Sequence, residues 1–183
     1  MSEALKCPVG WRVVYEHELP PRLPRYASVA GLPVDRRVID YLERSYPQGL
    51  YLHQRFAAAL SVTWSDVCLT TGTASGKTLA FHVAAIQRLL ADDSSTIIAI
   101  YPLKALGTQQ CQRWNSVLAS FGLPKAEIID GDVPVADRIA LLRRSRVLVM
   151  TPDVIHAWLL STLSDPVVRG FLAKLSLVVV DEV

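Results

Sequence analysis

A run of small residues followed by a lysine and a threonine is the segment of this chain best suited to chemistry. The run, Thr71-Gly72-Thr73-Ala74-Ser75-Gly76-Lys77-Thr78, follows a short apolar segment, Val67-Cys68-Leu69, and precedes a helical pattern. In a strand–turn–helix layout of this kind, the N–H groups of the turn and the positive end of the helix wrap a polyphosphate. Small residues allow that backbone to approach closely. The segment therefore predicts a phosphate-binding loop.

Two side chains at the end of this loop would act directly on the bound group. Lys77 would place a positive charge on the β- and γ-phosphates, and the hydroxyl of Thr78 would be a ligand of the Mg²⁺ that bridges them. The pattern G-x-x-x-x-G-K-[ST] is incomplete here, because Thr71 replaces its first glycine. The alternative is an ordinary Gly-Thr-Ser turn with a solvated lysine, but the surrounding strand and helix patterns favour the phosphate loop.

Two carboxylates near the end of the chain suit a metal site. Asp181 and Glu182 follow a continuous apolar run that predicts a buried strand. Asp181 would hold Mg²⁺ through water, and Glu182 would orient or deprotonate an attacking water molecule. The alternative is a pair of solvated acids after a strand, which the phosphate loop upstream disfavours.

A glutamine before the loop is suited to reading a base. Gln54 lies in Tyr51-Leu52-His53-Gln54, which we predict to open a helix from Leu50 through Leu60. An amide both donates and accepts, as the N6 and N7 positions of adenine require. Tyr51 would cover the face of the base. A glutamine at a helix start is ordinarily a solvated residue, but its position shortly before a phosphate loop favours a binding role.

Three further segments follow predicted strands, so they would lie at the edge of a parallel sheet where ligands bind. They are Pro102-Leu103-Lys104-Ala105-Leu106, Gly131-Asp132 and Thr151-Pro152-Asp153. Lys104 and nearby N–H groups would hold the phosphates of a strand. Thr151-Pro152-Asp153 is also fully explained as a helix start. A further cluster, Arg143, Arg144 and Arg146, is better explained as a solvated helix end than as a nucleic-acid contact.

The elements around these segments predict an α/β fold, a three-layer arrangement of a mainly parallel sheet with helices on both faces. Residues 1–32 are expected to form an irregular N-terminal arm, and residues 33–183 the domain. The predicted strands are Val67–Leu69, Thr96–Tyr101, Glu127–Asp130, Arg146–Met150 and Leu175–Val180. The predicted helices are Pro33–Tyr46, Leu50–Leu60, Leu79–Leu90, one from Leu103 that Gly122 stops, Val135–Leu142, and two that begin at Thr151 and Asp165.

The composition describes a globular chain. It has 183 residues, of which 51% are hydrophobic and 20% charged, which is enough for one domain with a proper core. A net charge of +2 does not by itself indicate nucleic acid. Cys68 is predicted to be a small core residue of a strand. No apolar run is long enough for a membrane span or a signal sequence, so we expect a cytoplasmic protein with no membrane partner.

In this order, the segments resemble the first motor domain of a superfamily 2 DExH/DEAD-box helicase, over roughly residues 33–183. The phosphate loop is similar to motif I of that family, Tyr51-Leu52-His53-Gln54 to its Q motif, and Asp181-Glu182-Val183 to the start of motif II. Pro102-Leu103-Lys104-Ala105-Leu106 resembles motif Ia, with Leu103 in place of a threonine, and Thr151-Pro152-Asp153 resembles motif Ib. Gly131 lies where a nucleic-acid-contacting glycine is expected. The subgroup most resembled is the YprA-like DNA helicases.

The resemblance implies a RecA-like P-loop domain that binds ATP, Mg²⁺ and nucleic acid, most simply single-stranded DNA. In this family ATP is hydrolysed between two RecA-like domains, so a second one is the expected partner. Because motif II is cut at Val183, we expect a fragment, truncated after the motif II strand, with an exposed apolar face and little activity alone. Two alternatives are a fragment that binds nucleotide or nucleic acid without turnover, and another P-loop ATPase or kinase. The latter would leave Gln54 and Lys104 unexplained.

Overall fold

A parallel sheet of four strands forms the centre of the fold in a computed structural model, which describes residues 24–71 and 76–181. Its strand order is β4-β5-β3-β6. A separate antiparallel pair, β1 and β2, joins two short segments near the start of the described chain. The strands are β1 (Tyr26–Ala27), β2 (Leu50–Tyr51), β3 (Thr96–Ile100), β4 (Glu127–Ile129), β5 (Val147–Met150) and β6 (Leu175–Val180).

The last residues of the four parallel strands lie in one row across the sheet. Ile129 pairs with Met150, Met150 with Ile100, and Ile100 with Val180. The residues that follow each strand therefore emerge side by side at a single edge, as parallel pairing requires. This carboxyl edge brings together the segments that begin at Asp130, Thr151, Tyr101 and Asp181.

Helices cover both faces of the sheet, so the predicted three-layer α/β architecture is confirmed. Their bounds are α1 (Arg36–Ser45), α2 (Leu52–Val62), α3 (Lys77–Ala91), α4 (Lys104–Ser120), α5 (Val135–Arg144), α6 (Pro152–Val154) and α7 (Pro166–Leu172). After α6 the chain continues as a π-helical turn, Ile155–Leu159, and a 3₁₀ turn, Leu160–Thr162.

Two hydrophobic cores arise because successive strand residues point to opposite faces. Ile97, Ala99 and Val149 belong to the core beneath α1 to α4, with the fully buried Trp114 of α4. Ile98, Leu148 and Met150 belong to the other core, beneath α5, α7 and the turn that carries Trp158. Strands buried on both faces explain the continuous apolar runs in the sequence.

The structure corrects the prediction at the start of the chain. Helix α1 begins at Arg36 rather than Pro33, because the Asp35 side chain accepts a hydrogen bond from the Arg37 N–H and caps it. Leu50 and Tyr51 form β2 instead of the first turn of a helix, because they pair with Tyr26 and Ala27. The segment predicted to be irregular thus contains a strand from residue 26, and Val29 and Leu32 are buried in the first core.

Three other predictions were wrong. Val67–Leu69 is not a strand: no described strand pairs with it, and an apolar run without a partner cannot form a ladder. Cys68 is accordingly exposed rather than part of the core. Leu103 is not the first residue of its helix, as predicted, but an exposed residue before it, because α4 begins at Lys104.

Strand β6 lies at the edge of the sheet, and one of its faces is open. Val178 and Val180 are each about half exposed, whereas Val179 between them is buried. Among the helices of residues 24–71 and 76–181, none has the length and apolar character needed to cross a membrane.

Candidate nucleotide and nucleic-acid site

Helix α3 begins where the sequence predicts the end of a phosphate-binding loop. Gly76 has a φ of +72°, a left-handed conformation that favours glycine, and Lys77 is the first residue of the helix. The Lys77 ammonium donates a hydrogen bond of 3.3 Å to the carbonyl oxygen of Thr71. Thr78 is partly buried one residue further along the helix. The predicted loop residues Gly72, Thr73, Ala74 and Ser75 lie outside the described residues.

The side chain of Gln54 connects α2 to this helix start. It is 6% exposed, accepts a hydrogen bond from the N–H of Tyr51 at 2.9 Å, and donates one to the carbonyl oxygen of Gly76 at 2.8 Å. A primary amide has two donors and two acceptor positions. Within residues 24–71 and 76–181, Gln54 therefore keeps one donor and one acceptor for a further partner.

A cleft of about 360 Å³ opens beside Gln54. The rings of Tyr26 and Tyr51 are stacked along it, with centroids 5.0 Å apart, and a hydrogen bond to Tyr51 raises the pKa of Tyr26. Its volume lies within the range of small-molecule sites. The lining residues are Tyr26, Ser45, Tyr46, Pro47, Gln48, Gly49, Tyr51 and Gln54.

Sequence reasoning missed Tyr26 and Tyr46 as members of this cleft. Tyr26 was assigned to an irregular arm, and only the β1–β2 pairing brings it opposite Tyr51. Tyr46 ends α1 just before the Pro47-Gln48-Gly49 turn. Aromatic residues beside that turn were the feature of the sequence that could have indicated the cleft.

Asp181 follows β6 at the carboxyl edge and is partly buried. Its N–H donates to the carbonyl oxygen of Ile100 at 3.1 Å, which continues the β3–β6 ladder by one residue. Beside it, burial raises the pKa of Tyr101, and the negative charge of Asp181 adds to that shift. The Tyr101 hydroxyl accepts a hydrogen bond of 3.1 Å from Trp114. The predicted catalytic residue Glu182 lies outside the described residues.

The structure brings together two of the residues predicted to contact nucleic acid. The Lys104 ammonium is 2.6 Å from the carboxylate of Asp132, and a Cβ added to Gly131 would lie 3.3 Å from the same ammonium nitrogen. Thr151, which follows the intervening strand β5, is 8% exposed. The remaining members of the predicted set are exposed, and they are Pro102, Ala105, Pro152 and Asp153.

The arginine cluster is not at this edge. Arg146 precedes β5, at the opposite end of the sheet, and donates hydrogen bonds to the carbonyl oxygens of Leu89, Asp92 and Ser95. Arg144 pairs with Glu127 at 3.0 Å. Arg143 and Arg144 are exposed, as expected of a solvated helix end, whereas that interpretation was wrong for Arg146, whose side chain is largely buried against the backbone.

A parallel sheet with a Gly-Lys-Thr helix start beside an aromatic cleft is typical of phosphate-loop nucleotide-binding domains. A profile of the DEAD/DEAH box helicases matches residues 51–183, which is most of the chain. The chain therefore belongs to the DEAD/DEAH box helicase family.

Individual relatives agree with this placement. The chain is 36% identical over 138 residues to the ATP-dependent helicase HRQ1 of Saccharomyces cerevisiae, covering 74% of this chain and 13% of that protein. It is 28% identical over 151 residues to the ATP-dependent helicase YprA of Bacillus subtilis, covering 81% of this chain and 20% of that protein. The chain thus spans a fifth or less of the length of these two relatives.

The fold is also that of a known helicase. The crystal structure of the DUF1998 helicase MrfA bound to DNA and AMPPNP superposes with a TM-score of 0.81 at 26% identity, over 91% of this chain and 23% of that one. This similarity confirms the RecA-like helicase fold.

Proposed function

We propose that this chain is the ATP- and nucleic-acid-binding first motor domain of an ATP-dependent DNA helicase or translocase. The observation that carries the proposal is the hydrogen bond from Gln54 to Gly76. It joins a base-sized aromatic cleft to the start of α3, so the two sites for the base and the phosphates of one nucleotide are adjacent. The family of the chain and the AMPPNP-bound relative MrfA support this assignment.

In this proposal, different residues bind the base and the phosphates of the nucleotide. Gln54 would read the edge of adenine through its remaining donor and acceptor, and the rings of Tyr26 and Tyr51 would contact its face. The loop from Thr71 to Thr78 would wrap the phosphates, with Lys77 as the counter-charge. Sequence similarity to relatives named as ATP-dependent helicases supports ATP as the nucleotide.

The oxygen atoms offered at the start of α3 and after β6 suit Mg²⁺, which prefers oxygen ligands. Thr78 offers a hydroxyl at the start of α3, and Asp181 offers a carboxylate at the carboxyl edge. A metal held there would neutralise charge on the phosphates. Glu182, the following residue, would orient the attacking water molecule and accept its proton.

The other end of the carboxyl edge would bind nucleic acid, with single-stranded DNA as the proposed ligand. Lys104, Gly131 and Thr151 would contact the sugar–phosphate backbone, with Pro102, Ala105, Pro152 and Asp153 around them. Backbone contacts make binding independent of sequence and sensitive to salt. The structure of MrfA bound to DNA supports DNA as the nucleic acid. A second RecA-like domain of the complete protein would close over the nucleotide.

Nucleotide binding by the purified chain tests this proposal. We expect Mg²⁺-dependent binding of a fluorescent, non-hydrolysable ATP analogue, weakened about tenfold or more by Lys77→Ala because the phosphates lose their charged partner. Lys125→Ala is the matched control, since Lys125 is exposed on the loop before β4. Equal binding by the Lys77 and Lys125 variants, or no binding by the wild type, would contradict the proposal. Hydrolysis of ATP that single-stranded DNA stimulates would show that this domain needs no second RecA-like domain for the reaction.

A further inference from the structure

The ammonium of Lys104 already has an anionic partner at the edge where we place nucleic acid. Its distance of 2.6 Å from Asp132 is that of a charge-assisted hydrogen bond. The two residues follow different strands, β3 and β4, and β5 lies between those strands in the sheet. The pair therefore spans the surface above the end of β5, where Thr151 precedes α6.

The loop that carries Asp132 is held independently of this pair. The N–H of Asp132 donates to the side chain of Asp130 at 2.9 Å, which forms an Asx turn. Arg138, which is 7% exposed, donates to the carbonyl oxygens of Asp130 and Val133. The backbone that carries Asp132 is consequently held by contacts other than the ion pair with Lys104.

The pair contributes little to the fold, because both of its members are exposed. The side chain of Lys104 is 50% exposed and that of Asp132 is 79% exposed. Ion pairs in such surroundings are weak and easily replaced by another partner. The hydrogen bond to Asp132 does, however, raise the pKa of Lys104, and the ammonium lies 3.3 Å from the position of a Cβ added to Gly131.

We propose that Asp132 is an internal competitor for nucleic acid, occupying on Lys104 the position that a backbone phosphate takes in the complex. This inference rests on the proposed function, in which Lys104 contacts the backbone. A phosphate must displace the carboxylate, so part of the attraction between Lys104 and nucleic acid is offset before binding begins. The affinity of Lys104 for any strand is therefore lowered by the small free energy of breaking an exposed ion pair.

Removing the carboxylate should strengthen binding. Asp132→Asn keeps the size of the side chain and removes its charge, so we expect single-stranded DNA to bind about two- to fivefold more tightly at moderate salt. The gain should shrink as salt is added, because the phosphate contact is electrostatic. Melting temperatures of all variants show whether each remains folded.

A double-mutant cycle tests the inference, with binding of a fluorescently labelled oligothymidylate to the purified chain as the measurement. The four proteins are the wild type, Asp132→Asn, Lys104→Gln and the double variant. We expect the gain from Asp132→Asn to fall by more than half when Lys104 is absent. The matched control is Asp93→Asn, another exposed acid near an arginine but before β3, at the opposite edge of the sheet.

The outcomes separate the two proposals. If Lys104→Gln weakens binding but Asp132→Asn leaves it unchanged, the competitor is disproved while the proposed function stands. The same holds if Asp132→Asn strengthens binding equally in both backgrounds, or no more than Asp93→Asn does, since a general charge effect then explains the gain. If Lys104→Gln does not weaken binding, the assignment of this edge to nucleic acid fails, and the inference fails with it.

Discussion

The side-chain amide of Gln54 lies 2.8 Å from the carbonyl oxygen of Gly76, twenty-two residues further along the chain, and donates a hydrogen bond to it. The same amide accepts a hydrogen bond from the N–H of Tyr51. One buried side chain thus fixes the start of α3 relative to β2 and to the cleft between the tyrosines. Substitutions that break this hydrogen bond should therefore affect nucleotide binding. Substitutions in the cleft between the tyrosines should affect it as well.

Gln54→Glu should weaken binding of an ATP analogue about tenfold or more. The substitution preserves shape but replaces the donor that faces the Gly76 carbonyl with an oxygen, so an attraction becomes a repulsion in a buried site. Fluorescence titration measures the affinity. Gln87→Glu is the comparison, at a position further along α3. The side-chain oxygen of Gln87 accepts a hydrogen bond from the Asp35 N–H, and a carboxylate oxygen can accept the same bond. Similar losses in both variants would contradict a specific role for Gln54.

Gly76→Ala should impair both folding and nucleotide binding. A φ of +72° is strained for alanine, and the added Cβ would collide with the amide nitrogen of Gln54. We expect a loss of about 1–3 kcal/mol in the free energy of unfolding. Urea denaturation measures it, and Gly122→Ala provides a comparison, because Gly122 has a similar φ of +66° with no atom near its added Cβ. A loss no larger than that of Gly122→Ala would show that the collision is relieved.

His82 makes the stability of the fold depend on pH. It is 5% exposed, and its ring lies 4.3 Å from that of Trp114. Burial lowers its pKa from 6.5 to about 3, and the positive charge of Arg113 adds to the shift. The folded protein therefore keeps His82 neutral where the unfolded chain takes up a proton. The stabilisation is complete above pH 6.5 and is lost as the pH falls from there toward 3.

We expect this histidine to remove about 2 kcal/mol of stability between pH 7 and pH 5. His82→Phe should abolish that part of the pH dependence, because phenylalanine does not titrate and can occupy an apolar site. Urea denaturation of the wild type and of His82→Phe at both pH values gives the change in stability with pH for each protein. A change in packing that is the same at both pH values cancels in this comparison. The same replacement at the exposed His156 is the control. An unchanged pH dependence in His82→Phe would show that other groups are responsible.

Arg146→Met should destabilise the fold by about 1–3 kcal/mol, because it removes the donor to three carbonyl oxygens, of which those of Leu89 and Ser95 belong to buried residues. Arg146 bonds the carbonyl oxygens that end α3 and precede β3, among them that of Asp92 at 2.6 Å. Arg143→Met, at an exposed position of α5, should change stability by no more than about 0.5 kcal/mol. Thermal or urea unfolding provides the values. A large loss of DNA affinity in a fully folded Arg146→Met protein would instead assign this arginine to nucleic acid.

Patterns that depend on local sequence predicted the sheet well. Thr96–Ile100 and Val147–Met150 are continuous runs of apolar, mostly β-branched residues, and such runs identify strands buried on both faces. The helix at Pro166 was predicted from Asp165, whose side chain accepts hydrogen bonds from the N–H groups of Val167 and Val168. Apolar runs and helix caps involve residues that are close together in the sequence, so they can be predicted from it directly.

Features that depend on distant partners could not be predicted in this way. Leu50 and Tyr51 are too few for a strand signal, and only their pairing with Tyr26 and Ala27 makes them one. Val67–Leu69 has the composition of a strand, but composition does not supply a neighbour to pair with. Lys104 was predicted to be available to phosphate, whereas its ion pair with Asp132 joins loops that follow separate strands. The roles assigned to the site residues stay predictions.

The pairing of β1 with β2 also makes residues near the start of the described chain part of the cleft beside Gln54. Tyr26 reaches the cleft only through this two-residue ladder. Because a ligand stabilises whatever state binds it, nucleotide in the cleft should favour the paired form of β1 over its detached form. Amide hydrogen exchange at Leu52, whose N–H donates to the carbonyl oxygen of Arg25 across this pair, would then slow in proportion to occupancy. The first segment of the domain would thereby report on its nucleotide.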